Sequence, residues 1–242
     1  MRPTLAGGSA VLAVVLAVLP TPARSWGWEG VQGDGTVAVR KRDLPPFRAV
    51  RMKGPFDVFV KVGPARSVSV EIDENLQALL VTRVEDDTLV VFAERALRPS
   101  GRAAVEVTVP ELRRVELAGS GDVTVEGGTG AIELAVRGSG DLRWRGEAST
   151  LEASVDGSGD VRLEGRAARL RAAVEGSGDI EAGRLEAVDV EASVKGSGDI
   201  DLNVAGGKLA ATVDGSGDIR WRGKATAESV RVHGSGDVSR RD

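Results

Sequence analysis

Cysteine and tyrosine are absent from the 242 residues, histidine occurs once, and aromatic residues make up 3%. The lack of cysteine excludes disulfides, thiolate metal sites, a cysteine nucleophile and a lipid-modified N-terminal cysteine. Without tyrosine, an extended aromatic platform for sugar binding has little to draw on. The single histidine, His233, lies in a variable column expected to face solvent, which argues against a catalytic role. A Ser–His–Asp triad would also need one serine set apart, and the serines here are repeated turn residues. The formal net charge is −4 with charges of both signs interspersed. Such a chain is a poor partner for nucleic acid or an anionic membrane.

Long apolar runs are scarce too. Ala10 to Leu19 is an unbroken run of ten, preceded by Arg2 and broken by Pro20 and Pro22. That is too short for a bilayer span and suits a signal-peptide core, with cleavage expected after Ser25 in Ala23-Arg24-Ser25. Loss of residues 1–25 removes Arg2 and Arg24 and takes the charge to about −6. The mature chain is therefore expected to be exported, to the periplasm, the cell surface or the medium, with no membrane span. Residues 26–46 read as a tether that begins at Trp26 and Trp28, with one strand at Thr36 to Arg40.

From Phe47 the pattern is strand-like. Phe56, Val58, Val60 and Val62 alternate with more polar residues, as do Val68, Val70 and Ile72, and Val105, Val107 and Val109. Period-2 runs bounded by Gly, Pro and Asp predict half-buried strands over residues 47–113, with one short helical turn at Asn75 to Leu80.

What the chain has in abundance is the tetrapeptide GSGD. Seven copies begin at Gly119, Gly138, Gly157, Gly176, Gly196, Gly215 and Gly234, at intervals of 19, 19, 19, 20, 19 and 19 residues. A short period held over half the chain predicts a parallel β-solenoid over residues 114–242, about six coils, with a right-handed turn expected from parallel connections. Stacking the copies aligns Val123, Leu142, Val161, Ile180, Ile200, Ile219 and Val238 directly after each Asp, all aliphatic and so inward. Two residues before each copy stand Leu117, Val136, Val155, Val174, Val194, Val213 and Val232. Each coil thus reads as a strand, a turn of about five residues often opened by Gly, a second strand and the GSGD turn. The one 20-residue interval holds its extra residue in GRLEAVD, read as a widened turn.

The column Asp122, Asp141, Asp160, Asp179, Asp199, Asp218 and Asp237 is the sharpest chemical feature. Neighbours about 5 Å apart would repel by roughly 0.9 kcal/mol per pair even in water. One reading is turn chemistry, with each Asp accepting backbone N–H bonds, both glycines at positive φ and Ser hydroxyls donating. The other is a cation ladder holding Ca²⁺ between coils, although calcium β-rolls use a nine-residue repeat. Turn chemistry is the expectation, so no metal site, no catalytic residue and no cofactor is assigned. Trp144 and Trp221 share one column and are expected to fill the core rather than bind sugar.

These residues resemble the bacterial family called putative auto-transporter adhesin, head GIN domain. The likeness covers about residues 43–238 and rests on RDLPPFRAVRMKGPFDVFVKVG, SVSVEIDENL, DDTLVV, VELAGSGDV and SVKGSGDIDLNVAGGKLAATVDGSGDIRWRG. The resemblance implies an exported β-rich protein that ends in a β-solenoid. An autotransporter would need a C-terminal membrane barrel, and the chain stops at Ser239–Asp242, so self-export is not expected. The expected function is that of a non-enzymatic envelope or surface protein with an adhesin-like binding or structural role. Its partner would be an envelope component, a glycan or a protein. The alternatives are a carbohydrate-binding or carbohydrate-active β-helix and a self-assembling structural solenoid.

Overall fold

The computed structural model describes residues 30–241; the expected signal peptide, its cleavage site, Trp26 and Trp28 lie outside the described residues. The first half of the chain forms β1 (Val31–Gln32), β2 (Val37–Lys41), β3 (Ala49–Gly54), β4 (Asp57–Val62), β5 (Ser67–Asp73), a 3-10 turn (Glu74–Leu76), β6 (Leu80–Glu85), β7 (Thr88–Ala93), β8 (Leu97–Arg98) and β9 (Ala104–Val109). The repeats form β10 (Arg114–Gly119), β11 (Val123–Glu126), β12 (Ala131–Gly138), β13 (Leu142–Gly157), β14 (Val161–Gly176), β15 (Ile180–Gly196), β16 (Ile200–Ala205), β17 (Lys208–Gly215), β18 (Ile219–Lys224), β19 (Ala227–Gly234) and β20 (Val238–Arg240). The chain is all-β, a mixed N-terminal sheet continuing into a parallel β-solenoid, as the repeat spacing predicts.

Two walls carry the stack. The leading wall holds the residues that follow each Asp, and the trailing wall those that precede each GSGD. Like positions pair across rungs: Leu142 with Val161 and Val161 with Ile180 on the leading wall, Val155 with Val174 and Val174 with Val194 on the trailing wall. Alternation then sends every second side chain inward. Val155, Val174, Val194 and Val213 form the expected buried column, faced by Leu142, Val161, Ile180, Ile200 and Ile219. Burying each such side chain contributes on the order of 1.5–3 kcal/mol relative to leaving it exposed.

The structure revises three details of the repeat. The five-residue turn between strands is not a break in the middle rungs: β13, β14 and β15 run through it as strands of 16, 16 and 17 residues. There Ala148, Ala167 and Ala187 pair across rungs and are buried, which makes a narrow third wall. The extra residue of the long interval is a β-bulge, Ala182 and Gly183 standing opposite Leu163, rather than a widened turn. The two glycines of GSGD have different duties. The first adopts positive φ in every copy after the one at Gly119, +129° at Gly176. The second is not at positive φ but is tightly packed: a Cβ on Gly178 would collide with the carbonyl oxygen of Gly159 in the rung before.

The N-terminal region is part of the same stack. β3 pairs in parallel with β10, Gly54 opposite Gly119, and β4 pairs with β11, Val58 opposite Val123. The segment Gly54-Pro55-Phe56-Asp57 therefore occupies the place of a GSGD turn. β7 and β9 add a further rung beyond β3 and β4. The chain lays down β3 and β4, passes outward, returns through β7 and β9, then crosses back to start the repeats on the other side. β5 and β6 cover the outer rung as antiparallel strands on β9 and β7. β2 closes over β5, and β1 pairs with β8, so residues 31–32 and 37–41 of the expected tether are built into sheets. The expected helical turn is the 3-10 turn, whose Leu76 is buried.

Buried polar side chains lock this cap. The Asp73 carboxylate accepts bonds from Gly35 N–H, Ser100 N–H and the Ser100 hydroxyl. Gln77 Nε2 donates to the carbonyls of Ala38 and Val70 at 2.7 and 3.1 Å.

Candidate functional site

The Asp column runs along one edge of the leading wall as a continuous ladder. Each Oδ1 accepts the backbone N–H of the next Asp: Asp141 to Asp122 at 3.4 Å, Asp160 to Asp141 at 3.3 Å, Asp179 to Asp160 at 3.1 Å, Asp199 to Asp179 at 2.7 Å, Asp218 to Asp199 at 2.8 Å and Asp237 to Asp218 at 2.9 Å. The bonds tie one rung to the next instead of closing each residue's own turn, which corrects the expected geometry. The Asp backbone carbonyls take part as well, Asp160 O accepting Leu142 N–H and Asp179 O accepting Val161 N–H.

Repulsion along the row is offset by arginines two residues on. Arg143 lies 3.4 Å from both Asp122 and Asp141, Arg162 lies 3.3 Å from Asp141 and 3.6 Å from Asp160, and Arg220 lies 2.7 Å from both Asp199 and Asp218. The Arg162 guanidinium is held above its usual pKa, chiefly by Glu181, with burial opposing and Asp141 adding. Arg220 is raised in the same way, first by Asp199. Asp179 forms no ion pair among the described residues; the positions beside it are Glu181 and Asp201. Among the described residues no cluster of three or more Asp, Glu or His is arranged to hold a metal ion.

The outer side of the trailing wall carries a second charge pattern. Arg171 bridges Glu152 at 3.4 Å and Glu191 at 3.2 Å, and Lys195 pairs with Glu175 at 2.7 Å. Nearer the N-terminal end the pattern changes. Glu116 points outward yet its side chain is only 6% exposed, beneath three guanidiniums. Arg51 Nε donates to it at 3.0 Å, Arg137 Nη1 at 2.7 Å, and Arg114 Nη2 lies 3.5 Å away. The sequence carries one sign of this cluster: Glu116 opens a column that is then small through Ala135, Ser154, Ala173, Ser193 and Thr212 before Arg231.

The other candidates are placed as follows. Trp144 and Trp221 are buried core residues, as expected, and Trp144 Nε1 donates to Gly127 O at 3.2 Å. His233 is exposed on β19, opposite Asp214. A groove of about 780 Å³ opens beside the Gly128–Gly130 loop. Its carboxylates are engaged: Glu111 by Arg48 and Arg113, Glu133 by Arg114, Glu152 by Arg171. Arg113 in particular holds Glu111 below the usual carboxylate range, the opposite of what a general acid requires. On the last rung, Glu228 and Arg240 stand in the columns that hold Leu209 and Trp221 one rung earlier. The Arg240 guanidinium sits 5.1 Å from the Trp221 ring centre.

Stacked parallel walls, an antiparallel cap and a GSGD edge define a capped parallel β-solenoid. The chain belongs to the family described as putative auto-transporter adhesin, head GIN domain, whose model matches residues 46–225. It is similar to a putative adhesin from Bacteroides fragilis, with 27% identity, a TM-score of 0.80, and coverage of 88% of this chain and 100% of that one. A putative lipid binding protein from Parabacteroides distasonis has the same fold at 24% identity and a TM-score of 0.75, over 88% of this chain and 100% of that one. A putative adhesin from Parabacteroides merdae aligns at 20% identity and a TM-score of 0.71, over 88% and 99%. No curated protein matches the chain.

Proposed function

We propose that this protein is an exported, non-enzymatic binding scaffold of the cell envelope or surface, with an adhesin-like role. The observation that carries this reading is the pair of long outward walls, where charged side chains recur at one rung spacing and are held by backbone ladders and ion pairs. Such a surface is rigid before it meets a partner, so little ordering entropy is lost on binding. The arginine pairing of the groove carboxylates supports binding over hydrolysis. The expected domain scheme goes with this reading: a signal peptide over 1–25, then the mature scaffold.

The test is binding of the labelled, purified scaffold to intact bacterial cells and isolated envelopes. Saturable binding without change to the target is the expected outcome. Absence of binding, or release of reducing ends from envelope polysaccharide, would defeat the reading. Cell fractionation tests export separately, with the mature N-terminus expected at Trp26.

A further inference from the structure

The guanidinium cluster on the trailing wall has more positive charge than its own carboxylates neutralise. Arg51 and Lys53 project from β3, Arg114, Glu116 and Ala118 from β10, and Arg137 from β12, all on the outer side, because Met52, Leu117 and Val136 between them are buried. Four cations thus face three acids, Glu116, Glu133 and Asp156, the last level with Arg137 on the next rung, which leaves a local surplus of one positive charge. Lys53 forms no ion pair among the described residues, and Arg114 Nε is buried without an acceptor.

The register gives this surplus a shape. Lys53 is level with Ala118, and Leu117 pairs with Val136, so Ala118 is also level with Arg137. Lys53 and Arg137 therefore flank a small side chain from strands two spacings apart, roughly 9–10 Å. That leaves a shallow depression floored by Ala118. Glu116 sits one outward position along and holds Arg51 and Arg137 in place. It acts as a positioning residue.

Farther along the same wall the sign reverses. From Glu152 to Asp214 the outer columns hold Glu152, Asp156, Glu175, Asp189, Glu191 and Asp214 against Arg169, Arg171, Lys195 and Lys208. A planar anionic membrane or a long phosphate backbone laid on this wall would meet that acidic stretch and be repelled. A single acidic group on an otherwise uncharged segment would not.

We propose that the depression over Ala118 binds the acidic group of an acidic polysaccharide, held by Lys53, Arg51 and Arg137. The inference rests on the surface-binding reading above, which brings this wall against extracellular polymers, and it names the ligand class for that reading. Arginine suits the task because its planar fork pairs with carboxylate or sulfate through two donors at once.

The test uses the mature protein with a neutral galactan oligomer carrying one galacturonate as probe, the unsubstituted galactan oligomer as control, and vesicles of phosphatidylcholine with and without phosphatidylglycerol. Calorimetry or NMR titration at low salt should show binding to the singly acidic oligomer that weakens as salt rises. Lys53→Gln and Arg137→Gln should each weaken it by about tenfold, about 1.4 kcal/mol. Ala118→Glu places an internal carboxylate in the depression. It should abolish binding while leaving the melting temperature unchanged or higher, which shows that the fold survives. No binding by the wild type, equal binding of the neutral oligomer, or undiminished binding by Ala118→Glu would overturn the site. Charge-dependent binding to the phosphatidylglycerol vesicles alone would overturn the polysaccharide assignment in favour of lipid. If Ala118→Glu loses the oligomer yet still binds cells like wild type, the site is not what attaches the scaffold and the polysaccharide inference fails, while the surface reading stands. If the wild type binds the oligomer but not cells, the surface reading fails and the site stands.

Discussion

Replacing Gly178 by alanine places a methyl group between two rungs that have no room for it. The added Cβ would collide with the Gly159 carbonyl oxygen, and it would lie 2.9 Å from Val155 Cγ1 and 3.0 Å from the Gly159 carbonyl carbon. Two of these atoms are backbone, fixed by parallel ladders above and below, so the neighbour cannot retreat as a flexible side chain would. Overpacking of a tight core costs about 1–3 kcal/mol, and a backbone obstacle puts this case at the upper end. The stiffer unfolded chain returns about 0.4–1 kcal/mol. A net loss of about 2–3 kcal/mol is expected, a fall of about 4–12 °C in melting temperature for a chain of this size. Thermal melts followed by circular dichroism, with urea titration alongside, measure it. Ser177→Ala, one residue away with an exposed side chain, is the control and should stay within about 0.5 kcal/mol. Gly236 faces a similar collision with Gly217, but its rung is the last described and can shift outward. Gly236→Ala should therefore cost clearly less than Gly178→Ala. A Gly178→Ala protein that melts with wild type, or equal losses at both positions, would refute the idea that rung spacing selects this glycine.

Three further outcomes follow from the same geometry. Val174→Asp puts an unpaired carboxylate into the buried trailing-wall column and should cost several kcal/mol, on the order of 3–5, read from urea midpoints. Asp179→Asn keeps an oxygen for the Asp199 N–H and removes a charge without an ion-pair partner, so stability should be unchanged or up to about 0.5 kcal/mol higher. Calcium should likewise change little: a chelator and millimolar Ca²⁺ should give melting temperatures within about 2 °C of each other. A larger saturable rise would make Asp122 to Asp237 a cation ladder after all. Asp73 has its pKa lowered, chiefly by the Ser100 hydroxyl, so its contribution is complete above about pH 4 and is lost as the pH falls through the lowered value. Asp73→Asn should weaken the protein at neutral pH and flatten its acid-side loss of stability; an unchanged pH profile would remove Asp73 as the cause.

The repeat half was legible because stacking makes each column a repeated measurement of one environment. Aliphatics after every Asp, and Leu117 or valine before every GSGD, could face only one way, and the observed register pairs them as aligned. The third wall was hidden because its inward residues, Ala148, Ala167 and Ala187, are too small and too short a run to show alternation. The rung of β3 and β4 was hidden for another reason. Its turn keeps Gly54 and Asp57 but has Pro55 and Phe56 between them, so backbone geometry persists where the tetrapeptide does not. The Asp column was found from its spacing, yet its bonding across rungs depends on rise and rotation, which no spacing reports. Glu116 left one trace, an acid at the head of a column that stays small until Arg231. Its three arginines come from strands up to 86 positions apart, and only the crossing of the chain brings them together.

The crossing of the chain back over β3 and β4 bears on how the repeats can form. The first pairing of a repeat, β10 on β3, joins Gly54 to Gly119 across 65 positions, whereas each later rung closes over 19 or 20. Loop-closure entropy makes the first step dearer by only about 1 kcal/mol, but it requires the β3–β4 rung to exist beforehand. The N-terminal block therefore offers a template edge at one end of the stack, while repeat rungs can also nucleate on one another; growth of this kind is indifferent to final count. A whole 19-residue unit could be added or removed from the middle of the stack without altering either end, so the reach of the scaffold is set by copy number, independently of the cap that starts it.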